Sequence, residues 1–355
     1  MQSILKASRF LLPVAFLGYA TVVNLGYARF PDRADLGDNL LSGGPTAKVE
    51  SLYRQSLPHR ESAIGAMGAL RYLALGEGRK GVLTGKDGWL FTAEEVRPLT
   101  DDLDATLSRI DRIRDRLEQA GAQLVIVPVP GKLDVHVAHG DPATAQGIAT
   151  LYDAFLAGLR ERRIDTLDAR AALRLDAEWR AAFFRTDTHW TPRGAEGVAR
   201  ALAGSGLVTR GDTDFAVRTA PETRFTGDLV SFITTDRFAP MLGLMPERAT
   251  PYTAEATDSA TDIFAGTQAG ATLLIGTSYS ANPTFSFAEA LKLALGRDVL
   301  NLAVEGQGPA RPMLDYLASD DFRTAPPRVV IWEFPVRYLT DPALWGGPTK
   351  EKSGA

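Results

Sequence analysis

Apolar positions along this 355-residue chain follow two patterns that take turns, and the turn-taking predicts its architecture. Short continuous runs rich in β-branched residues read as buried parallel strands. They are Gln123 to Val129, Ala271 to Ile275, Val299 to Leu302 and Val329 to Phe334, with a shorter one at Ile164 to Asp168. Between them, apolar residues recur every three or four positions. Leu103, Leu107, Ile110, Ile113 and Leu117 share one face of a helix over 100–120, closed by Gly121. Further helices are predicted over 151–162, over 169–179, from Thr191 through Leu202, around Phe287 to Leu295, and through Met313 and Leu317. Strand and helix in alternation predict an α/β fold: three layers around a mostly parallel sheet.

The rest of the chain departs from this rhythm in informative ways. Gly81 to Phe91 reads as strand, Asp-Gly turn, strand. Residues 204–269 hold many Thr, Asp and Pro and predict loops or a small β excursion. Near the start, Lys6 and Arg9 precede a charge-free run from Phe10 to Ala28, just long enough to span a bilayer. It predicts a signal anchor or signal peptide over 1–28; the lack of an A-x-A cleavage site favours the anchor. A juxtamembrane segment would follow over 29–78, the main domain over 79–345, and a disordered Gly-rich tail over 346–355.

Composition narrows the chemistry. A net charge of −4, without a clustered Lys/Arg stripe, argues against nucleic acid as a partner. The absence of cysteine excludes disulfides, a thiolate nucleophile and Cys-ligated metal. His136 and His139 form an H-x-x-H with no third ligand in view, and predict a surface loop rather than a metal pair. No cofactor or metal site is expected.

Two loops carry the candidate chemistry. Asp187-Thr188-His189-Trp190 puts an acid two residues before an imidazole. Thr191 and Pro192 then start a helix, as N-cap and first helical residue. Alone, such a D-x-H is more often a structural pair. Gly276-Thr277-Ser278-Tyr279-Ser280 follows the Ala271–Ile275 strand at a strand-to-helix turn, where active groups of parallel sheets gather. Ser278 would be the nucleophile, His189 the base and Asp187 its orienting acid. Ser280 is a rival nucleophile. Oxyanion donors would come from the helix start after Ser278 and from the Gly306-Gln307-Gly308 turn; Asn301 is a weaker choice. Tyr279 and Trp190 would wall the site or stack on a sugar, with core packing an equal alternative for Trp190.

These two blocks, with the early Gly85-Lys86-Asp87-Gly88-Trp89-Leu90-Phe91, resemble the AlgJ/AlgX family of alginate O-acetyltransferases, which have SGNH-hydrolase-like domains. Pro130 with Lys132, Gly306 to Pro309, and Trp332-Glu333 through Arg337 resemble its later blocks, so that the likeness runs over about residues 80–340. The Asp/His block precedes the serine block, the circularly permuted order for which that family is known. The resemblance implies Ser278, His189 and Asp187 as a catalytic triad, with Lys132 and Arg337 among the substrate or oxyanion candidates.

It also implies a periplasmic O-acetyltransferase acting on an exopolysaccharide, alginate or similar, through an acetyl-serine intermediate. A membrane-bound O-acyltransferase would supply acetyl groups, and the N-terminal segment would hold the enzyme at the inner membrane. Too few residues follow Arg337 for the carbohydrate-binding module of AlgX-type members, so a single-domain AlgJ-type form is expected. Two other functions remain open on sequence: an acetylesterase with the same triad, and a non-catalytic polysaccharide-binding or assembly protein.

Overall fold

Five strands pair side by side, all in parallel, at the centre of the molecule. The structure is a computed structural model that describes residues 14, 16–22, 25, 60–99, 102–177, 182–257 and 271–346. In chain order the described strands are β1 (Val82–Thr84), β2 (Leu90–Thr92), β3 (Gln123–Val129), β4 (Asp165–Thr166), β5 (Phe215–Thr219), β6 (Thr223–Phe225), β7 (Glu247–Ala249), β8 (Tyr252–Ala256), β9 (Thr272–Ile275), β10 (Val299–Asn301) and β11 (Val329–Pro335). The central sheet runs β10-β9-β11-β3-β4. Its longest pairing sets Val329 to Pro335 of β11 against Gln123 to Val129 of β3.

The helices are α1 (Arg60–Leu75), α2 (Leu103–Gln119), α3 (Lys132–Val135), α4 (Pro142–Glu161), α5 (Ala169–Ala177), α6 (Pro192–Ser205), α7 (Ser278–Ala281), α8 (Phe287–Leu295), α9 (Ala310–Ala318) and α10 (Asp320–Thr324). They cover both faces of the sheet, as alternation along each strand requires. Val125, Val127, Leu274, Val329 and Ile331 join one core with Leu173 of α5, Val198 and Leu202 of α6, and Leu291 of α8. Their neighbours Leu124, Ile126, Leu273, Ile275, Val330 and Trp332 join the other with Ile110 of α2, Phe155 of α4 and Met313 of α9. Three layers follow.

Two expectations are corrected, the start of α4 and the place of His136, and the 204–269 stretch takes the β form among the two expected. Helix α4 begins at Pro142, not at 151, because Asp141 caps it: its carboxylate accepts the Thr144 N–H at 2.8 Å, and Pro142 sits in the first turn. The 204–269 excursion, where described, forms two antiparallel strand pairs, β5–β8 and β6–β7. His136 is no surface residue; it is buried between α3 and the Trp89 ring, 4.3 Å away. Of the predicted N-terminal span only residues 14, 16–22 and 25 are described, helical and mostly exposed. The rest of 1–28, residues 29–59 of the juxtamembrane segment and 347–355 of the tail lie outside the described residues. Among the described residues no helix is long and apolar enough to cross a membrane.

Candidate active site

Ser278 stands where β9 ends. Thr277 caps α7 with extended backbone, its hydroxyl accepting from the Tyr279 N–H, and Ser278 is the first helical residue. Gly276 is needed for close approach: a Cβ there would lie 2.4 Å from an oxygen of Glu333. Glu333, fully buried on the neighbouring strand β11, organises the turn. Its carboxylate accepts the Thr277 N–H at 2.7 Å, the Thr277 hydroxyl at 3.0 Å and the Ser280 hydroxyl at 3.1 Å. Burial raises the Glu333 pKa, and these donors work against the rise.

The Asp187–His189 loop joins α5 to α6. A single bridge between Phe183 and Trp190 closes it, with Phe184 N–H donating to the His189 carbonyl at 3.1 Å. Helix α6 begins as predicted, Thr191 Oγ1 accepting from the Gly194 N–H at 3.1 Å with Pro192 in the first turn. The loop's own groups are then fixed from outside. Thr186 N–H and hydroxyl both donate to Glu247 of β7, at 2.6 and 2.7 Å. Asp228 accepts the Thr188 N–H at 2.8 Å and returns its own N–H to Asp187 Oδ2 at 3.0 Å.

Here the two loops meet. His189 Nε2 lies 2.7 Å from Ser278 Oγ, and His189 Nδ1 lies 2.7 Å from Asp187 Oδ1. An ionised carboxylate only accepts, so Nδ1 carries the proton and Nε2 is left to accept from the Ser278 hydroxyl. Burial disfavours the Asp187 charge. The His189 hydrogen bond and charge outweigh it, helped by the Asp228 and His189 N–H groups, and hold the carboxyl below its ordinary range. The imidazole is flanked by Phe285, stacked at 4.7 Å, and by Tyr279 at 4.8 Å.

The remaining candidates take other places. Ser280 is 3% exposed and tied to Glu333, so it does not face His189. Trp190 is fully buried, its Nε1–H donating to the Tyr279 carbonyl at 3.0 Å; it is core, not a sugar platform. Tyr279 walls the imidazole but is buried too, its hydroxyl donating to the Thr188 carbonyl and accepting from Arg337 at 2.9 Å each. Arg337 thus backs Tyr279 and pairs with Glu94 at 3.2 Å, and no hydrogen bond among the described residues joins it to Ser278. Asn301 is spent on the Ser280 carbonyl and the Ala303 N–H, at 2.7 and 3.1 Å. Gly306 and Gly308 take the positive φ their turn needs, 75° and 66°, and Gly308 abuts Tyr338. No hydrogen bond among the described residues joins either to Ser278.

Lys132 is the largest correction. It is 1% exposed and faces no solvent. Its ammonium donates to the carbonyls of Leu90 at 2.6 Å, Arg185 at 2.9 Å and Asp187 at 2.9 Å. It ties the β1–β2 hairpin to the Asp187–His189 loop, and Leu90 N–H reinforces the tie by donating to the Arg185 carbonyl at 3.0 Å. Glu95, also buried, caps the same turn by accepting the Lys132 and Leu133 N–H groups at 2.8 and 3.2 Å. Sequence reasoning did not find Glu95, Asp228, Glu247 or Phe285. Asp187, His189 and Asp228 offer potential metal-ligand atoms within 4.8 Å of one another. Their facing oxygens already accept N–H donors, which suits a hydrogen-bonded acid–imidazole unit.

A parallel three-layer sheet with these loops at one end defines an SGNH hydrolase-like protein. The family profile described as "SGNH hydrolase-like domain, acetyltransferase AlgX" matches residues 82–336, and the chain belongs to that family; it is an SGNH-like acyltransferase. It is 37% identical over 318 residues to the probable alginate O-acetylase AlgJ of Pseudomonas aeruginosa, covering 84% of this chain and 81% of that protein. Among solved structures, the O-acetyltransferase domain of Pseudomonas putida AlgJ superposes with a TM-score of 0.66 at 38% identity, over 74% of this chain and 93% of that one. Pseudomonas aeruginosa AlgX gives 0.60 at 26%, over 74% and 65%.

Proposed function

We propose that this protein transfers acetyl groups to hydroxyls of an exopolysaccharide, alginate or a similar polymer, through Ser278, His189 and Asp187. The observation that carries the proposal is the pair of 2.7 Å contacts running from Ser278 Oγ through the imidazole to Asp187. Ser278 Oγ attacks the acetyl carbonyl carbon while its proton passes to His189 Nε2. The tetrahedral intermediate collapses, the bond to the donor breaks, and His189 returns the proton to the leaving group. A sugar hydroxyl then attacks the acetyl-serine, losing its proton to His189, and the ester forms as Ser278 Oγ leaves and is reprotonated. Asp187 stabilises the imidazolium in each half.

The oxyanion needs donors fixed in advance. Ser278's own N–H, at the first position of α7, makes no hydrogen bond among the described residues and is free for that role. The polymer is named from the relatives, called alginate O-acetylase and alginate biosynthesis protein. A periplasmic position at the inner membrane, with a membrane-bound O-acyltransferase as acetyl supplier, follows from the N-terminal apolar run and the family resemblance.

The test uses a chromogenic acetyl ester with and without oligosaccharide acceptors. Acetylated oligosaccharide should form, and Ser278→Ala should lower its formation by a factor of about 10³ or more. Ser280→Ala should retain most activity. Acetate release that ignores the acceptor would show an esterase, and transfer untouched by Ser278→Ala would remove the serine mechanism.

A further inference from the structure

Helix α1 turns Gly65, Gly68 and Tyr72 inward and Met67, Leu70 and Leu73 outward. A Cβ on Gly68 would stand 2.0 Å from the Ile233 carbonyl oxygen, and one on Gly65 would stand 2.7 Å from the Phe238 ring. Those glycines let the helix lie against the 228–242 segment, beside the small core of Val82, Leu90, Leu229 and Ile233. The opposite face carries Ala63, Ala66, Met67, Leu70, Leu73 and Ala74, all exposed. Their three- and four-residue spacing makes one continuous stripe, and none of the helix's charged residues, Arg60, Glu61 and Arg71, falls within it. Met67, Leu70 and Leu73 are 66%, 59% and 71% exposed, unusual for three large apolar side chains on one turn-to-turn line.

Charge frames the stripe. Residues 60–80 hold four basic groups (Arg60, Arg71, Arg79, Lys80) against two acidic ones (Glu61, Glu77), in a chain whose net charge is −4. The stripe is about 18 Å long and about 10 Å wide by helix geometry. That area falls well short of the roughly 800 Å² per partner that a stable dimer buries, so a second copy is a poor occupant. An apolar stripe flanked by Arg60 and Arg71, the latter paired with Glu77, in a locally basic segment is what an interfacial helix presents to an anionic bilayer.

We propose that α1 seats this stripe on the surface of an anionic lipid bilayer, with Met67, Leu70 and Leu73 entering the boundary between headgroups and acyl chains. The proposal rests on the N-terminal anchor put forward above. Residues 29–59 join that anchor to α1 in the chain, so α1 is covalently tethered to the bilayer. A weak contact then suffices, because tethering raises its effective concentration. Docked in this way, the domain would be held in a fixed orientation to the membrane.

The chain contains no cysteine, so Leu70→Cys gives one attachment point for an environment-sensitive dye. The full chain, labelled there or at Arg311→Cys on α9, is reconstituted with vesicles of phosphatidylethanolamine and phosphatidylglycerol. It is then floated on a density gradient and probed with nitroxide-bearing lipids. The expected result is flotation of both, with blue-shifted emission and lipid quenching for the Leu70→Cys label alone. Flotation without quenching at that position overturns the docking and leaves the anchor standing. Disulfide-linked pairs of unlabelled Leu70→Cys chains on the vesicles would show a second copy on the stripe and overturn it as well. Failure to float overturns both.

Discussion

A carboxylate holds the serine turn, and an ammonium group holds the histidine loop. Glu333 faces a turn that offers donors: one backbone N–H and two hydroxyls, all within residues 277–280. Lys132 faces segments that offer acceptors: three backbone carbonyls, at Leu90, Arg185 and Asp187. The difference lies in what each can lose. Hydroxyls rotate to new partners, so only the Thr277 N–H is rigidly committed to Glu333. Carbonyls held in place by the surrounding chain cannot turn away, and Lys132 joins stretches about 95 positions apart in sequence. The serine half is therefore locally braced by the sheet. The histidine half depends on side chains from distant segments, Lys132 with Glu247 and Asp228.

Removing Lys132 should have the larger effect. Lys132→Met keeps the apolar stem but withdraws the ammonium donor from three buried carbonyls, of which Arg185's keeps the Leu90 N–H, at about 1–3 kcal/mol for each one left unsatisfied before relaxation. Relief of the buried charge offsets part of this. We expect kcat to fall about a hundredfold, as a displacement of His189 on the order of 1 Å would cause, with KM for a small acetyl ester little changed. Steady-state kinetics alongside thermal unfolding would check it; full activity would show that the loop holds itself. Glu333→Gln keeps one carbonyl acceptor for the Thr277 N–H and should cost about tenfold in kcat. An effect larger than that of Lys132→Met would invert the contrast.

The smallest effect is a pH dependence. Burial pushes the Lys132 ammonium down from its usual 10.5 to about 8, although Glu95 and Asp187 pull it back. Above that pH the amine keeps two hydrogens for three carbonyls, so kcat should decline on the alkaline side. Stability moves the other way. A folded pKa below the unfolded one means that the unfolded chain binds more protons between about 8 and 10.5, so this group's contribution to stability rises with pH there. Activity profiles and melting temperatures measured across pH 7 to 10 (roughly the window these values set) would separate the two. The alkaline decline should be absent in Lys132→Met; its persistence there would assign the decline to another group.

Much of this was legible because it is local in sequence. The Asp187–His189 block, the Ser278 turn and the Thr191–Pro192 helix start each occupy a few adjacent residues, and β3, β9 and β11 announce themselves as unbroken apolar runs. The start of α4 was missed for want of apolar periodicity: Ala143, Thr144, Gln146 and Gly147 mask it, although Asp141-Pro142 carries a cap signal like that of Thr191-Pro192. Lys132 and Arg337 were substrate or oxyanion candidates through the family resemblance, and only tertiary structure shows that each side chain is walled in. A signal for Glu333 was available, since a carboxylate within Val329 to Phe334 must find donors once buried. Nothing near Asp228 or Glu247 marks them, because their partners lie 40 to 61 positions away in the chain.

The central claim is that Ser278, activated by His189, carries the acetyl group. Its most direct test is to mix the full chain with an aryl acetate, quench in acid within the first turnover, and locate the acetyl group by peptide mass spectrometry. The expected result is acetyl on Ser278 that accumulates without acceptor and disappears when oligosaccharide is added. Acetyl on Ser280 instead, or steady turnover with no acylated peptide at any time, would contradict it.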